Sequence, residues 1–253
     1  MVQTNVDKRK AIISLGPGRS GSTYLYDCLR NAFGATELDV KEKNLLYKKS
    51  RERYKSEVLI DVSNTIYSHA NIFDLVMDYK HEYPNTEFIL LYRNPSKRLL
   101  SLYKYQIQVG LASDESVFWA NFLDNESFFI HKNSDLLKLK ELKLLKVVSF
   151  DELRKGSYEM ELFGKKVKLI SQDNFTNYAK QPRVKILMKF LRKFYIIFQI
   201  IFGKNAAHRI KRNKYLISLF YDGKSNEDFL CIPEHVKVLL KKERQFFEKI
   251  KVS

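Results

Sequence analysis

The chain is poor in cysteine, lacks acid over one long stretch, and has no apolar run long enough to span a membrane. Two cysteines, Cys28 and Cys231, stand among 253 residues. They are too few for a disulfide framework, and no His or Cys pair sits at zinc-ligand spacing. No metal is expected, and a reducing, cytoplasmic setting is the default. Behind the polar N-terminus, the apolar run Ala11 to Leu15 is too short for a signal-peptide core. The uncharged stretch Phe194 to Phe202 falls well below the ~20 residues that cross a bilayer. With no internal repeat and no low-complexity linker, residues 1–253 read as a single domain.

What the chain does carry is apolar mass and positive charge. Hydrophobic residues make up 45 % and aromatics 13 %, enough for a sizeable core, which excludes a disordered or collagen-like chain. Lys and Arg number 45 against 29 Asp and Glu, a formal net charge of +16. No acidic residue occurs between Asp173 and Asp222, and Lys180 to Lys214 alone holds eleven cations. Such a field attracts polyanions: nucleic acid, an anionic membrane face or an acidic substrate.

Short β-rich runs alternate with helical patterns. Ala11–Leu15, Glu57–Val62, Glu87–Tyr92 and Lys146–Phe150 read as strands. Helices are predicted over about 22–32, from roughly Ser68 to Tyr83, after Pro95, and from Pro233 to Lys251. Residues 158–170, split by Gly164-Lys165, suit a hairpin. The alternation predicts an α/β fold of three layers, a P-loop-like central parallel sheet flanked by helices.

Between the first strand and its helix lies Gly16-Pro17-Gly18-Arg19-Ser20-Gly21-Ser22-Thr23. Glycines let successive N–H groups point inward, the helix N-terminus adds partial positive charge, and Arg19 adds a full one. A purely conformational turn is the bland alternative, but arginine and two hydroxyls converge here at a helix start. A nucleoside-triphosphate loop would need lysine where Ser22 stands. A second candidate anion site follows the third strand. Arg93 ends that strand, on the sheet edge where open α/β folds bind ligands, and Ser101 lies two turns along the next helix. Taken alone, Arg93 is as readily a capping or ion-pairing residue.

These two motifs, in this order, resemble the sulfotransferase family that uses 3′-phosphoadenosine 5′-phosphosulfate (PAPS). Gly18, Arg19, Ser20, Gly21, Ser22 and Thr23 resemble its 5′-phosphosulfate loop, and Arg93-Asn94-Pro95 with Ser101 its 3′-phosphate motif. Val148 to Leu153 is similar to a further family segment, a strand followed by Glu-Asp-Leu. Lys41 to Tyr47 and Asp61 to Tyr67 are similar to segments of the carbohydrate-modifying, heparan-type and bacterial branch, with Lys43 in place of a proline.

The resemblance implies transfer of a sulfuryl group from PAPS to a hydroxyl of a carbohydrate, a glycan or glycolipid, without metal. Glu42 is then the general base, and Lys41 and Arg19 neutralise charge on the moving group. Asp61 or Ser63 orients the acceptor or Lys41; a strand-end hydrogen bond to a neighbouring loop is the equal alternative for both. His69, His81 and His131 fall in no motif and read as ordinary histidines. A basic apolar helical segment is expected at about 180–214, and Val184 to Phe202 within it has three readings: a core helix, a helix in a membrane interface, or a clamp on an anionic polymer. Specific nucleic-acid binding is not expected. The competing functional readings are a sulfotransferase for a non-sugar acceptor and a non-catalytic module that binds phosphate, nucleic acid or a membrane surface.

Overall fold

The computed structural model describes residues 9–34, 41–48, 51, 53–63, 71–108, 111–123, 129, 134–156, 158–170, 181–182, 221–222 and 230–252. The segment expected to be helical at about 180–214 lies outside them except for Gln181–Pro182, which form a short strand, and His69, His131 and Asn64 to Tyr67 also lie outside. The chain divides into two compact units, residues 1–98, 127–175 and 234–253 forming the first and residues 99–126 and 176–233 the second.

The first unit is built on four parallel strands: β1 (Lys10–Ser14), β2 (Val58–Asp61), β3 (Thr86–Tyr92) and β4 (Leu145–Ser149), in the order β2-β1-β3-β4. Parallel strands buried on both faces need apolar residues at odd and even positions alike. Ala11, Ile13, Leu15, Leu59, Phe88 and Leu90 enter one core, and Ile12, Ile60, Ile89 and Leu91 the other.

Helix α1 (Ser22–Ala32) closes the second of these cores with Leu25 and Leu29, both fully buried. Each such leucine contributes about 2 kcal/mol. The other core is covered by α3 (Ile72–Glu82), α6 (Asp135–Glu141) and the C-terminal α8 (Glu234–Val252), whose Phe247 stacks on Tyr92 at 4.1 Å. A short helix α2 (Leu45–Lys48) follows the 41–44 segment. The expected hairpin is present as β5 (Tyr158–Leu162) and β6 (Lys165–Leu169), an antiparallel pair. Its two linking residues, Phe163 and Gly164, have φ of 53° and 72°, the handedness a two-residue turn needs to match strand twist.

Helix α4 (Pro95–Gln108) begins in the first unit and continues into the second. Asn94 caps it, its Oδ1 accepting from the N–H groups of Ser96 and Lys97 at 3.1 and 3.3 Å. Pro95, with no N–H to leave orphaned, takes the first helical position. The cap is therefore Asn94, not Arg93. Arg98 meets Glu243 of α8 at 2.9 Å, both side chains fully buried.

In the second unit, α5 (Glu115–Leu123) starts at Asp114, whose carboxylate accepts from the Val117 N–H and from the Ser113 and Ser116 hydroxyls. Those bonds hold the Asp114 carboxyl down to about 2. Tyr103, Phe118, Trp119 and Phe122 form its aromatic cluster, with Phe118 buried at the centre. Strands β7 (Gln181–Pro182) and β8 (Tyr221–Asp222) pair antiparallel. The remaining short helix, α7 (Phe150–Leu153), belongs to the first unit and follows β4 directly.

Candidate functional site

The strand order fixes where a ligand belongs. From β1 the chain moves outward to β2, then returns past β1 to β3 and on to β4. The direction reverses between β1 and β3, and open parallel sheets bind ligands at the carboxyl ends of the strands flanking such a reversal. The glycine turn leaves β1 at this edge, and Arg93 follows β3 beside it. They approach closely: a Cβ on Gly16 would stand 2.5 Å from the Leu91 carbonyl oxygen, so only glycine fits.

The turn itself carries strain and unmet polarity. Arg19 holds φ at 65°, a left-handed conformation that costs a non-glycine residue about 1 kcal/mol. Gly21, the N-cap of α1, holds φ at 101°, offers no side-chain cap, and is followed by no acid in the first turn. The first-turn N–H groups of α1 thus face the edge of the sheet with partial positive charge. Ser20 is fully buried, and its hydroxyl has no hydrogen-bond partner. A buried, unpartnered hydroxyl beside a helix N-terminus is what an oxyanion would satisfy.

The turns after β1 and β3 share a wall, Phe150. A Cβ on Gly21 would lie 2.1 Å from the Phe150 ring, so the ring occupies the space a side chain would need. The Arg93 guanidinium lies 5.1 Å from the centre of the same ring. Tyr24 meets Phe150 edge-on at 5.9 Å, and Arg154 stands over it at 5.9 Å. Burial pushes Arg93 below the usual guanidinium range; Asp151 opposes this, and the charges of Arg154 and Arg19 add to it. Its buried Nε has no partner.

The segment at 41–45 brings Lys41 to the same place. The Lys41 ammonium donates to Ser22 Oγ at 3.0 Å and to Thr23 Oγ1 at 3.5 Å, and pairs with Glu42 at 3.4 Å. Burial lowers the Lys41 pKa; Glu42 opposes that shift and the Arg19 charge reinforces it. The Arg19 charge is therefore felt at both Lys41 and Arg93. Of the residues expected to work together, Arg19, Ser20, Gly21, Ser22, Thr23, Lys41, Glu42 and Arg93 stand at this one edge. Gly18 lies in the turn at Arg19. Ser101 sits half-buried on α4 in the second unit.

Asp61 and Ser63 do something other than face a substrate. Both are buried at the end of β2. Asp61 Oδ1 accepts from the Lys43 N–H at 2.9 Å and the Ser63 hydroxyl at 2.6 Å, and Oδ2 from the Leu45 N–H at 2.7 Å. Ser63 Oγ accepts from the Asn44 N–H at 3.2 Å, and the Val62 N–H donates to the Lys41 carbonyl at 2.9 Å. These bonds are the strand-end contact with a neighbouring loop that stood as the alternative reading for the pair: the strand end clamps the backbone that carries Lys41 and Glu42. Lys43 completes the clamp from within, its ammonium donating to the Ile60 carbonyl at 2.9 Å between the rings of Tyr26 and Tyr54. Its N–H bond to Asp61 is one that proline could not make.

His81, in the last turn of α3, leads into the start of β3, the opposite edge of the sheet. It is too far from the edge of interest to act as a base there. Sequence reasoning missed Phe150 and Arg154. The segment Val148 to Leu153, which contains Phe150 but stops short of Arg154, was singled out, but nothing in it marks a ring as the shared wall of two turns about 70 residues apart along the chain. Among the described residues, no group of three or more His, Cys, Asp or Glu is arranged to hold a metal, and no helix is long and apolar enough to cross a membrane. No family model, curated protein or solved structure matches the chain.

Proposed function

We propose that the chain is a PAPS-dependent sulfotransferase acting on a carbohydrate hydroxyl. One observation carries this reading: the cationic turns after β1 and β3 flank the reversal of strand order and pack on one ring, Phe150. A nucleotide phosphorylated at both ends has charges to meet both turns; a polymer backbone needs neither a shaped pocket nor two fixed phosphate sites. The orphan Ser20 hydroxyl beside the uncapped N-terminus of α1 fits a bound phosphate group.

The donor supplies an activated sulfuryl group. The N–H groups of residues 18–23, with Ser20 Oγ, hold the 5′-phosphosulfate, and Arg93 holds the 3′-phosphate. Glu42 accepts the proton of the acceptor hydroxyl. Lys41, braced on Ser22 and Thr23, and Arg19 stabilise negative charge where it builds up, in a position fixed before the reaction begins. The Asp61 clamp keeps Lys41 and Glu42 from drifting. The cations of 180–214 support peripheral attachment to an anionic membrane, checked by salt-sensitive co-sedimentation with anionic liposomes.

Two measurements test the reading. Adenosine 3′,5′-bisphosphate should raise the melting temperature more than ATP does, since a ligand specific for the native state stabilises it by mass action. Labelled sulfate should pass from PAPS to at least one member of a glycan panel. Glu42→Gln should lower turnover by roughly 100-fold or more while bisphosphate binding persists. Transfer that survives this substitution intact removes Glu42 from the mechanism.

A further inference from the structure

Two guanidiniums meet one ring in this site, and only one of them has a role so far. Arg93 and Arg154 lie 5.1 and 5.9 Å from the centre of Phe150. The placement of Arg154 is fixed by a single turn of helix, its N–H donating to the Phe150 carbonyl at 3.0 Å. Residues four apart on a turn share a face, so the Arg154 side chain returns over the ring that starts α7.

Neither cation is neutralised from within. The acids closest in sequence are engaged elsewhere, Asp151 with Lys97 at 3.6 Å and Glu152 with Lys251 at 2.7 Å. Among the described residues, no carboxylate stands within ion-pair distance of Arg93 or Arg154. The charges of Arg154 and Arg19 both work against that of Arg93, and Asp151 acts on it in the opposite sense and more strongly than Arg154 does. Two like charges gathered on one apolar ring are unfavourable until an anion joins them. A phosphomonoester dianion has the charge and the acceptor oxygens to take a planar fork from each side.

We propose that Arg154 joins Arg93 in gripping one phosphomonoester dianion, Phe150 serving as the rigid rest for both guanidiniums. The proposal deepens the nucleotide reading above and rests on it for the identity of the ligand as the 3′-phosphate. It adds a binding residue within the first unit, on a different strand end from Arg93.

The test is calorimetric titration of the full chain with adenosine 3′,5′-bisphosphate, adenosine 5′-monophosphate and inorganic phosphate. Arg154 is exposed, so Arg154→Ala should fold normally, which a melting curve checks. Arg154→Ala should weaken the bisphosphate roughly tenfold or more, as expected for a lost charge-assisted hydrogen bond, and leave the monophosphate within twofold. Arg154→Lys should fall between, keeping the charge but losing the fork. Unchanged bisphosphate binding in Arg154→Ala, or equal losses for both nucleotides, overturns the proposal while leaving the sulfotransferase reading in place. A wild-type chain that does not prefer the bisphosphate, yet loses inorganic phosphate with Arg154→Ala, keeps the paired grip and overturns the nucleotide reading. A wild-type chain that binds none of the three overturns both.

Discussion

Two neighbouring stretches of the same sheet edge handle polarity in opposite ways. At the end of β2, Asp61 accepts three hydrogen bonds with its two oxygens, and Ser63 both gives and receives. At the ends of β1, β3 and β4, a buried hydroxyl and a buried guanidinium nitrogen have no partner, and arginines gather on one ring. Buried polar groups that satisfy one another stabilise the fold and leave nothing for a ligand. Those left wanting weaken the fold and favour whatever anion completes them. The difference sets the two stretches apart without reference to sequence motifs.

The sharpest way to break the distinction is Asp61→Ala. It strands two buried backbone donors and a hydroxyl, so unfolding in urea should show a loss of about 4 kcal/mol, at roughly 1–3 kcal/mol for each orphaned group. A loss below about 1 kcal/mol would mean the clamp is not what holds residues 41–45. Gly21→Ala comes next. Its methyl meets the Phe150 ring at φ 101°, and destabilisation of about 2–3 kcal/mol is expected from strain and overpacking. Bisphosphate binding should fall with it.

Arg93→Ala should separate the two stretches in the other direction. Stability should change by less than about 1 kcal/mol, because an unneutralised, half-buried cation is being removed. Bisphosphate affinity should drop by more than about tenfold by calorimetry. A stability loss as large as that of Asp61→Ala would place Arg93 with the scaffold.

The smallest effect is in the second unit. With the Asp114 carboxyl depressed from 3.8 to about 2, the native state binds fewer protons than the unfolded chain between those values. Its contribution is complete above 3.8 and is lost as pH falls through about 2. A carbon-13 titration of the Asp114 carboxyl should find its midpoint near 2, and a midpoint at the ordinary value would remove the cap.

Local chemistry explains which parts of this arrangement could be read beforehand. Helix α1 runs over 22–32 as expected, because Gly21 and Phe33-Gly34 punctuate it on both sides. Strand limits shifted by about one residue, since pairing partners decide where a ladder stops. The anion turn was legible because its residues are contiguous. For Asp61 the strand-end bond to a loop was one of two readings, but its partners were not legible, for they lie 16 and 18 residues back, in a segment whose return to the strand end is a tertiary event. Phe150 was hidden for the same reason. Its neighbours Gly21 and Arg93 come from two other strand ends, and an aromatic at the end of a buried strand otherwise reads as core.

Gly16 gives the site its gauge. With no room for even a methyl between the end of β1 and the Leu91 carbonyl, the two strand ends are pinned at the separation that backbone pairing dictates, about 4.8 Å. The span between the groups they hold is then set by the ladder, and side-chain adjustment has little say in it.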